Sequence, residues 1–496
     1  MAKKYFPSPG QLAAEKALQK KYPAYAGVDE DYLHAGEAAI ERMLDWKFGI
    51  RIHWSIYSIT GSGHESWPLG TAQANGTPAF RAQYEELYKW WNPSRFSAEE
   101  WTDMMLKAGL KFFSFTAKHH DGFSMYNTKT KVRRRMMHAG PAAGKIVDCN
   151  LSYSIMETPF KRDVVKELTE AARKKGLGIG IYFSHIDWFD SDFRIDEWNY
   201  QKDEEYSPDK TNFTPEHERY IKENDPEGFK RMIARHREQI RELLTNYGKI
   251  DMLCFDMNFP DNGRTHGIRE DLVETVKMAR KIQSEVLMRR RGIDPYGDYR
   301  TPERVIPADK NQSKGNAMPW MVIYPGSRHF SHIWGDEYKP AKWIINSLIE
   351  VTAKGGNFQV GYGPGPDGTF DAEIIRRLEK TGKWLKINGE GIYCTRPYKI
   401  VQDGENLFYT RSKNHKYVYA FLTDVPGAPF CGGRLCFPSV HAKKKSRISI
   451  LGMDYNFKWE QNDHGLMIDI PDWFNNPEKQ PCEFACGFKI EQTGKL

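Results

Sequence analysis

Cysteine is scarce and offers no framework. The 496 residues hold seven, Cys149, Cys254, Cys394, Cys431, Cys436, Cys482 and Cys486, an odd count without a Cys-x-x-Cys pair. Nothing in that spacing demands a disulfide, and the 431/436 and 482/486 separations are loose for zinc. His-x-His and His-Glu-x-x-His pairings are missing as well, so no metal and no cofactor are expected. No apolar run is long enough to cross a membrane. The opening stretch "MAKKYFPSPGQLAAEKALQKKY" lacks the pattern of an export signal. The expectation is a soluble chain whose compartment stays open, because a removed signal leaves no trace. Positive charge is in mild excess only, +7 from 72 basic and 65 acidic residues, too even a balance for a nucleic-acid partner. Repeats, low-complexity tracts and long linkers are also missing.

What is present is bulk and aromaticity. Hydrophobic residues make up 40% and aromatic residues 13% of the chain, enough for a barrel of about 250 residues or more with an accessory domain. The aromatic surplus also suits stacking on sugar rings. After a polar, helical lead-in to about residue 41, β-type runs alternate with amphipathic helical stretches. "KFGIRIHW" (47–54), "KFFSFTAKHH" (111–120), "GIGIYFSHIDW" (178–188), "KIDMLCFD" (249–256) and "NFQVGYGP" (357–364) read as strands. Between them "SAEEWTDMMLKAGL" (97–110), capped by Ser97, "RDVVKELTEAARKKGL" (162–177), "FKRMIARHREQIRELLTNYG" (229–248) and "PAKWIINSLIEVTAKGG" (340–356) read as helices. "LVETVKMARKIQSEVLMRRR" repeats the helix-to-strand step. That alternation predicts parallel βα units closing into a (β/α)8-like TIM barrel over residues 1–396. From about Tyr398 short alternating strands with turn residues between them predict an antiparallel β-sandwich over 397–496.

Polar residues at the C-terminal ends of barrel strands read as catalytic. Here several strands end that way: His53-Trp54, Lys118-His119-His120-Asp121, Tyr182 to Asp187, Asp256, and Arg289 to Arg291. One such end is cheap to explain as surface; five converging ends are not. Adjacent histidines can bind metal, but neighbours along a strand point to opposite faces, and nothing completes a metal site.

In order and spacing, "KFGIRIHWSIYS", "FSAEEWTDMMLKAGLKFFSFTAKHHDGF", "RDVVKELTEAARKKGLGIGIYFSHIDW", "LLTNYGKIDMLCFD", "GDYRTPE" and "KWLKINGEGIY" resemble the α-L-fucosidases of glycoside hydrolase family 29. The resemblance covers roughly residues 40–396, and the trailing sandwich fits that family's C-terminal domain. It implies a retaining exo-glycosidase for α-L-fucosyl-type sugars, with Asp256 as nucleophile and Glu303 as acid/base downstream of Arg291. His53, Glu65, Trp67, His119, His120 and Tyr182 match sugar-contacting positions, with Ser66 interrupting Glu65 and Trp67. Chemistry asks for such a set: retention needs two carboxyl groups about 5–5.5 Å apart, one ionised and one protonated. Neutral imidazoles then read hydroxyls, and Lys118 and Asp121 are expected as supports.

The chain departs from the family in three places. Cys254 stands where the family has tryptophan, which predicts a larger slot at the sugar's C5 and acceptance of an α-L-galactosyl unit, unless a neighbour such as Met252, Met257 or Trp320 refills it. Trp320, in "PWM", joins the expected substrate-binding set with Cys254, and a glutamate frequent after that tryptophan is Met321. Gln359 and Tyr362 are unusual in the last strand. The basic run Lys129 to Arg135 follows the "KHHDGF" strand end and predicts contact with an anionic glycan such as a sulfated algal galactan; a second run spans Lys443 to Arg447 and reads as a solvated face. Two other classes stay open: a non-catalytic carbohydrate-binding protein on a glycosidase-like barrel, and a metal-dependent hydrolase. Oligomeric state is not legible.

Overall fold

The computed structural model describes residues 7–70, 77–193, 225–257, 270–308, 318–424, 430–431 and 433–492. Seven parallel strands form one curled sheet: β1 Phe48–Ile52, β2 Phe112–Lys118, β3 Gly178–Ser184, β4 Met252–Asp256, β5 Leu287–Met288, β6 Met321–Pro325 and β7 Asn357–Tyr362. Their spatial order is β5-β4-β3-β2-β1-β7-β6. The two edges do not stay open. The segment 299–303 runs between them as an irregular eighth stave, bridging Arg289 to Tyr299, Arg300 to Trp320 and Glu303 to Ile323. The barrel is therefore (β/α)8-like, as the strand–helix alternation predicts.

Helices α1 Ala98–Lys107, α2 Val164–Lys174, α3 Pro226–Asn246 and α4 Glu270–Ile282 follow the first four strands. Helices α5 Ala341–Ala353 and α6 Ala372–Asn388 follow β6 and β7. Among the described residues no helix lies between β5 and β6; β5 has two residues and gives way at once to the Arg289–Arg291 turn. Ser97 caps α1 by accepting from the Glu100 N–H at 3.2 Å, as its position predicts. Phe113, Phe115 and Ala117 of β2 pack into the main core with the surrounding helices. With a period of two, Ser114 and Thr116 face the barrel interior.

Beyond the barrel, a five-stranded antiparallel sheet (Thr395–Asp403, Leu407–Ser412, Tyr417–Leu422, Cys486–Glu491, Ile448–Ile450) faces a four-stranded one built on Arg434–Phe437 and Gly465–Ile468. Alternate residues such as Val418, Ala420 and Leu422 share a core with Leu435, Phe437 and Phe488. This is the predicted sandwich. It is tied to α6 and the turn after it by Trp384 Nε1 donating to the Ala485 carbonyl (2.7 Å) and Thr410 Oγ1 to the Gly391 carbonyl (2.7 Å). Among the described residues no helix is long and apolar enough to cross a membrane.

Candidate active site

Asp256 closes β4, where parallel pairing brings Ser184 beside it and Tyr182 beside Cys254. The Tyr182 hydroxyl donates to Asp256 Oδ2 at 2.6 Å. On the other oxygen converge the Met257 N–H (3.0 Å), Arg291 Nη1 (2.6 Å) and Arg289 Nη1 (3.4 Å). Burial alone would raise the Asp256 carboxyl, but the Arg289 and Arg291 charges outweigh it and hold the group well below the usual carboxylate range. The group is a carboxylate at any working pH.

Glu303 stands on the closing stave. Arg289 Nη2 donates to its Oε1 at 2.6 Å, and Arg291 Nη1 lies 3.3 Å from the same atom. Two guanidiniums thus bridge the two carboxylates, so both flank one small space. Arg291 takes the position the resemblance implies. Arg289, expected only as part of the Arg289–Arg291 strand end and given no role of its own, is the more deeply placed of the two, its side chain 1% exposed against 37% for Arg291. The signal was the strand period: Leu287 and Arg289 share a face, and that face is the barrel interior.

His53, His119 and His120 form the wall. The His119 ring stacks on Tyr182 (centroids 5.5 Å apart), and His53 meets both Tyr182 (5.7 Å) and His119 (5.8 Å). The His119 and His120 rings lie 3.9 Å apart, so the two do not point to opposite faces. The reason is that β2 ends at Lys118 and both histidines belong to the turn after it. Ser66 bonds His119 Nδ1 and Ser184 bonds His120 Nδ1 (2.8 Å), fixing each ring. Burial keeps all three imidazoles neutral, His120 pushed down to about 4 and the others well below their ordinary value. His53 Nδ1 is buried and unpartnered, a polar atom free for a ligand hydroxyl.

Glu65 and Trp67 arrive with this group despite Ser66 between them; indeed Ser66 is the residue that holds His119. Trp67 sets its edge against His120 at 5.1 Å. Glu65 adopts a left-handed backbone (φ 49°) and its N–H donates to Ser331 Oγ at 3.1 Å. Its carboxyl is pushed up to about 8, by burial first and then by the neighbouring charges of Glu303 and Asp256, against Arg304. Its Oε1 is buried without a partner. Arg51, also unexpected, lies under the wall with its guanidinium 4.9 Å from the Tyr182 ring centroid.

Two expected members lie elsewhere. Trp320 precedes β6 and so sits at the N-terminal rim, where its carbonyl accepts from the Asn357 N–H (3.1 Å) and its ring packs on Gly356. That is the end of the barrel opposite Asp256. Cys254 faces inward one layer below Asp256, and its Sγ meets the Tyr299 hydroxyl at 3.1 Å. The side chain that reaches it is Tyr299, none of the three neighbours considered from sequence. Three of the five cations in the basic run are paired internally, while among the described residues Lys129 and Arg133 meet only the side-chain oxygens of Asn127 and Asn150. Arg134 pairs with Asp192 and Asp225, Arg135 with Glu86 (3.0 Å) and Lys131 with Glu157 (3.6 Å). Lys118 and Asp121 are wholly buried supports: Lys118 donates to the Ile186 carbonyl (3.2 Å) and faces Asp187 (3.8 Å), while Asp121 accepts from the Tyr84 hydroxyl (2.7 Å).

A carboxylate pair sharing two guanidiniums, beside imidazoles kept neutral, is suited to binding a sugar and breaking its glycosidic bond; the barrel belongs with the glycoside hydrolases. More narrowly, the alpha-L-fucosidase family model matches residues 28–390 and the alpha-L-fucosidase C-terminal domain model residues 402–491. The chain belongs to the α-L-fucosidase family. It is 24% identical to the human tissue alpha-L-fucosidase over 462 residues, covering 90% of this chain and 87% of that one. It is 25% identical to the human plasma alpha-L-fucosidase over 463 residues, covering 88% and 87%. Among solved structures, alpha-L-fucosidase isoenzyme 1 from Paenibacillus thiaminolyticus superposes with a TM-score of 0.70 at 24% identity, covering 92% of this chain and all of that one. A trapped covalent intermediate of a Bacteroides thetaiotaomicron alpha-L-fucosidase superposes with a TM-score of 0.72 at 22% identity, covering 94% and 99%.

Proposed function

We propose that the protein is a retaining exo-α-L-fucosidase that removes a terminal α-L-fucosyl unit from a glycan by double displacement. The observation that carries this reading is Asp256, kept ionised by Arg289 and Arg291 while those same guanidiniums hold Glu303 across from it. Asp256 attacks the anomeric carbon as Glu303 protonates the departing oxygen; Glu303 then takes a proton from water, which releases the sugar from Asp256. The covalent intermediate trapped in the Bacteroides thetaiotaomicron relative supports that route. His53, His119 and His120 hold the hydroxyls, with Trp67 and Tyr182 closing the ring face.

A specific observation favours a second assignment of the proton. Glu65 is pushed up to about 8 by burial, and its carboxyl stands on the same pocket as Glu303 and Asp256, whose charges add to that rise. A donor must carry a proton at working pH, so Glu65 competes with Glu303 for that role. The α-L-galactosyl variant expected from Cys254 meets Tyr299 against the Sγ, which favours fucose. The internal pairing of Arg134, Arg135 and Lys131, three of the five cations in the basic run, likewise favours a neutral glycan over an anionic one.

The test is release of p-nitrophenol from its α-L-fucoside and α-L-galactoside in parallel. Asp256→Asn should lower fucoside turnover at least about a thousandfold; unaffected turnover would refute Asp256 as nucleophile, and a wild type that cleaves neither substrate would leave a binding protein. Glu303→Gln and Glu65→Gln are then compared on the aryl fucoside and on a fucosyl disaccharide. Loss of the acid should cost about 10²–10⁴-fold on the disaccharide, whose leaving group needs the proton, and far less on the aryl substrate. Whichever variant shows that split identifies the donor.

A further inference from the structure

Among the described residues, large apolar side chains stand exposed at Trp90, Leu106, Val305, Trp334 and Ile400. Leu106 lies on α1 and Ile400 in the sandwich. The other three, Trp90 (79% exposed), Val305 (58%) and Trp334 (63%), are carried by the connections after β1, after the closing stave and after β6. All three connections leave the face on which Asp256 and Glu303 stand. Single exposed apolar residues are ordinary, but several collected around a reactive site mark a binding surface.

Trp334 is held in place. Its loop joins the segment leading to Glu65 through a backbone bridge between Ser62 and Ile333, the Gly63 N–H on the His332 carbonyl (3.1 Å), and the Glu65 N–H on Ser331 Oγ (3.1 Å). The indole covers Gly61 so closely that a Cβ there would fall 2.1 Å from its Cδ1, and the His332 ring braces its edge at 4.6 Å. From the same loop Phe330 reaches inward to His53 (5.1 Å), and Arg304, next to Glu303, lies over Phe330 (4.9 Å). One loop therefore joins the inner wall of the sugar pocket to an outward indole, with Glu303 and Val305 on the adjoining rim.

We propose that Trp334, flanked by Val305, is the leaving-group subsite, where the pyranose ring next to the cleaved bond of a neutral oligosaccharide stacks. The proposal rests on the α-L-fucosidase reading and narrows its substrate to glycans in which fucose is joined to another sugar. The C–H face of a pyranose is flat and apolar and matches an indole in size, and a rigid aromatic pays little entropy to receive it. Stacking asks for an apolar ring face and not for a charge, and Arg134, Arg135 and Lys131 of the basic run are already paired with carboxylates, so the occupant is an uncharged sugar.

The experiment compares wild type, Trp334→Ala and Trp334→Phe on α-L-fucosyl fluoride, whose leaving group is one atom, and on 2′- and 3-fucosyllactose, with lactose as an inhibitor of fluoride hydrolysis. Trp334→Ala should lower kcat/KM on a fucosyllactose about tenfold through KM, leave the fluoride unchanged and weaken lactose inhibition by a similar factor. A tenfold change is about 1.4 kcal/mol. Trp334→Phe should recover most of the loss. An equal effect on fluoride and fucosyllactose, no effect on either, or unaltered lactose inhibition would overturn the subsite while leaving the fucosidase reading intact. A wild-type protein inert toward the fluoride would overturn both. Unchanged thermal unfolding of the variants, expected for so exposed a residue, separates each outcome from misfolding.

Discussion

Replacing Arg289 by methionine should disturb Asp256 more than replacing Arg291, although Arg291 is the nearer. Arg291 Nη1 lies 2.6 Å from Asp256 Oδ1 and Arg289 Nη1 3.4 Å. Distance alone favours Arg291, but the Arg289 side chain is 1% exposed and the Arg291 side chain 37%. A unit charge pair about 4 Å apart interacts by about 4 kcal/mol at an effective dielectric of ~20 and by about 1 kcal/mol in water. Arg289 works toward the first limit; Arg291 is screened toward the second. The acid limb of kcat/KM reports the nucleophile of the free enzyme. With the sharing of each charge by Glu303 allowed for, that limb should move up by about 2 pH units in Arg289→Met and by less than about 1 in Arg291→Met. The direction follows from the sign: removing a cation favours the protonated carboxyl, so activity fails at a higher pH. Arg289→Met also leaves two carboxylates short of a buried partner, at a cost of about 3–5 kcal/mol in stability, so unfolding is followed alongside. The position of the limb does not depend on how much enzyme is folded. A larger displacement in Arg291→Met, or none in either variant, would refute the reasoning.

Three further expectations concern the floor and the wall of the pocket. Burial pushes His120 down to about 4, below the unfolded value of about 6.5. The unfolded chain therefore binds more protons between those values, and stability falls as pH drops through that window; thermal unfolding from pH 7 to 4.5 should show a slope that is shallower in His120→Gln, and an unaltered slope counts against it. At Cys254, tryptophan would have to displace the Tyr299 hydroxyl now 3.1 Å from Sγ, an overpacking cost of about 1–3 kcal/mol read from the midpoint of denaturant unfolding. Tyr299→Ala should instead raise the ratio of galactoside to fucoside kcat/KM, and a constant ratio would show that Tyr299 does not border the sugar.

The fold was legible because its signals are local. Ser97 before an apolar period of 3.6 marks α1, and "KFFSFTAK" marks a buried strand, whatever lies around them. The eighth stave was not, since 299–303 is held by isolated bridges to Met288's neighbour Arg289 and to β6 and carries no strand pattern of its own. The same distinction runs through the site. His53, Asp256 and Tyr182 could be placed together from sequence because they end or line strands whose register the alternation sets. Trp320 went astray because "PWM" gives its distance along the chain from Glu303 but not the end of the barrel on which β6 begins. Tyr362 looked out of place in the last strand until its ring was seen against Gly326, where a Cβ would lie 2.2 Å away; that vacancy is a tertiary fact no window of sequence contains.

Arg289 shows most clearly what separates the legible from the illegible part. "MRRR" offers three arginines in a row, and composition cannot say which one meets Asp256. Strand geometry can: β5 ends after Met288, so Arg289 keeps the inward phase of Leu287, Arg290 turns away, and Arg291 returns on the turn. Arg290 indeed donates to the Ala24 carbonyl (2.8 Å) and pairs with Asp294, outside the pocket. Alternation thus places two of the three charges on Asp256 and Glu303 and removes the third. A single alanine inserted between Met288 and Arg289 would take the inward position and turn Arg289 away, leaving the carboxylate without its buried cation. The specificity of the charge pattern therefore lies in the length of β5, two residues long, as much as in the arginines themselves.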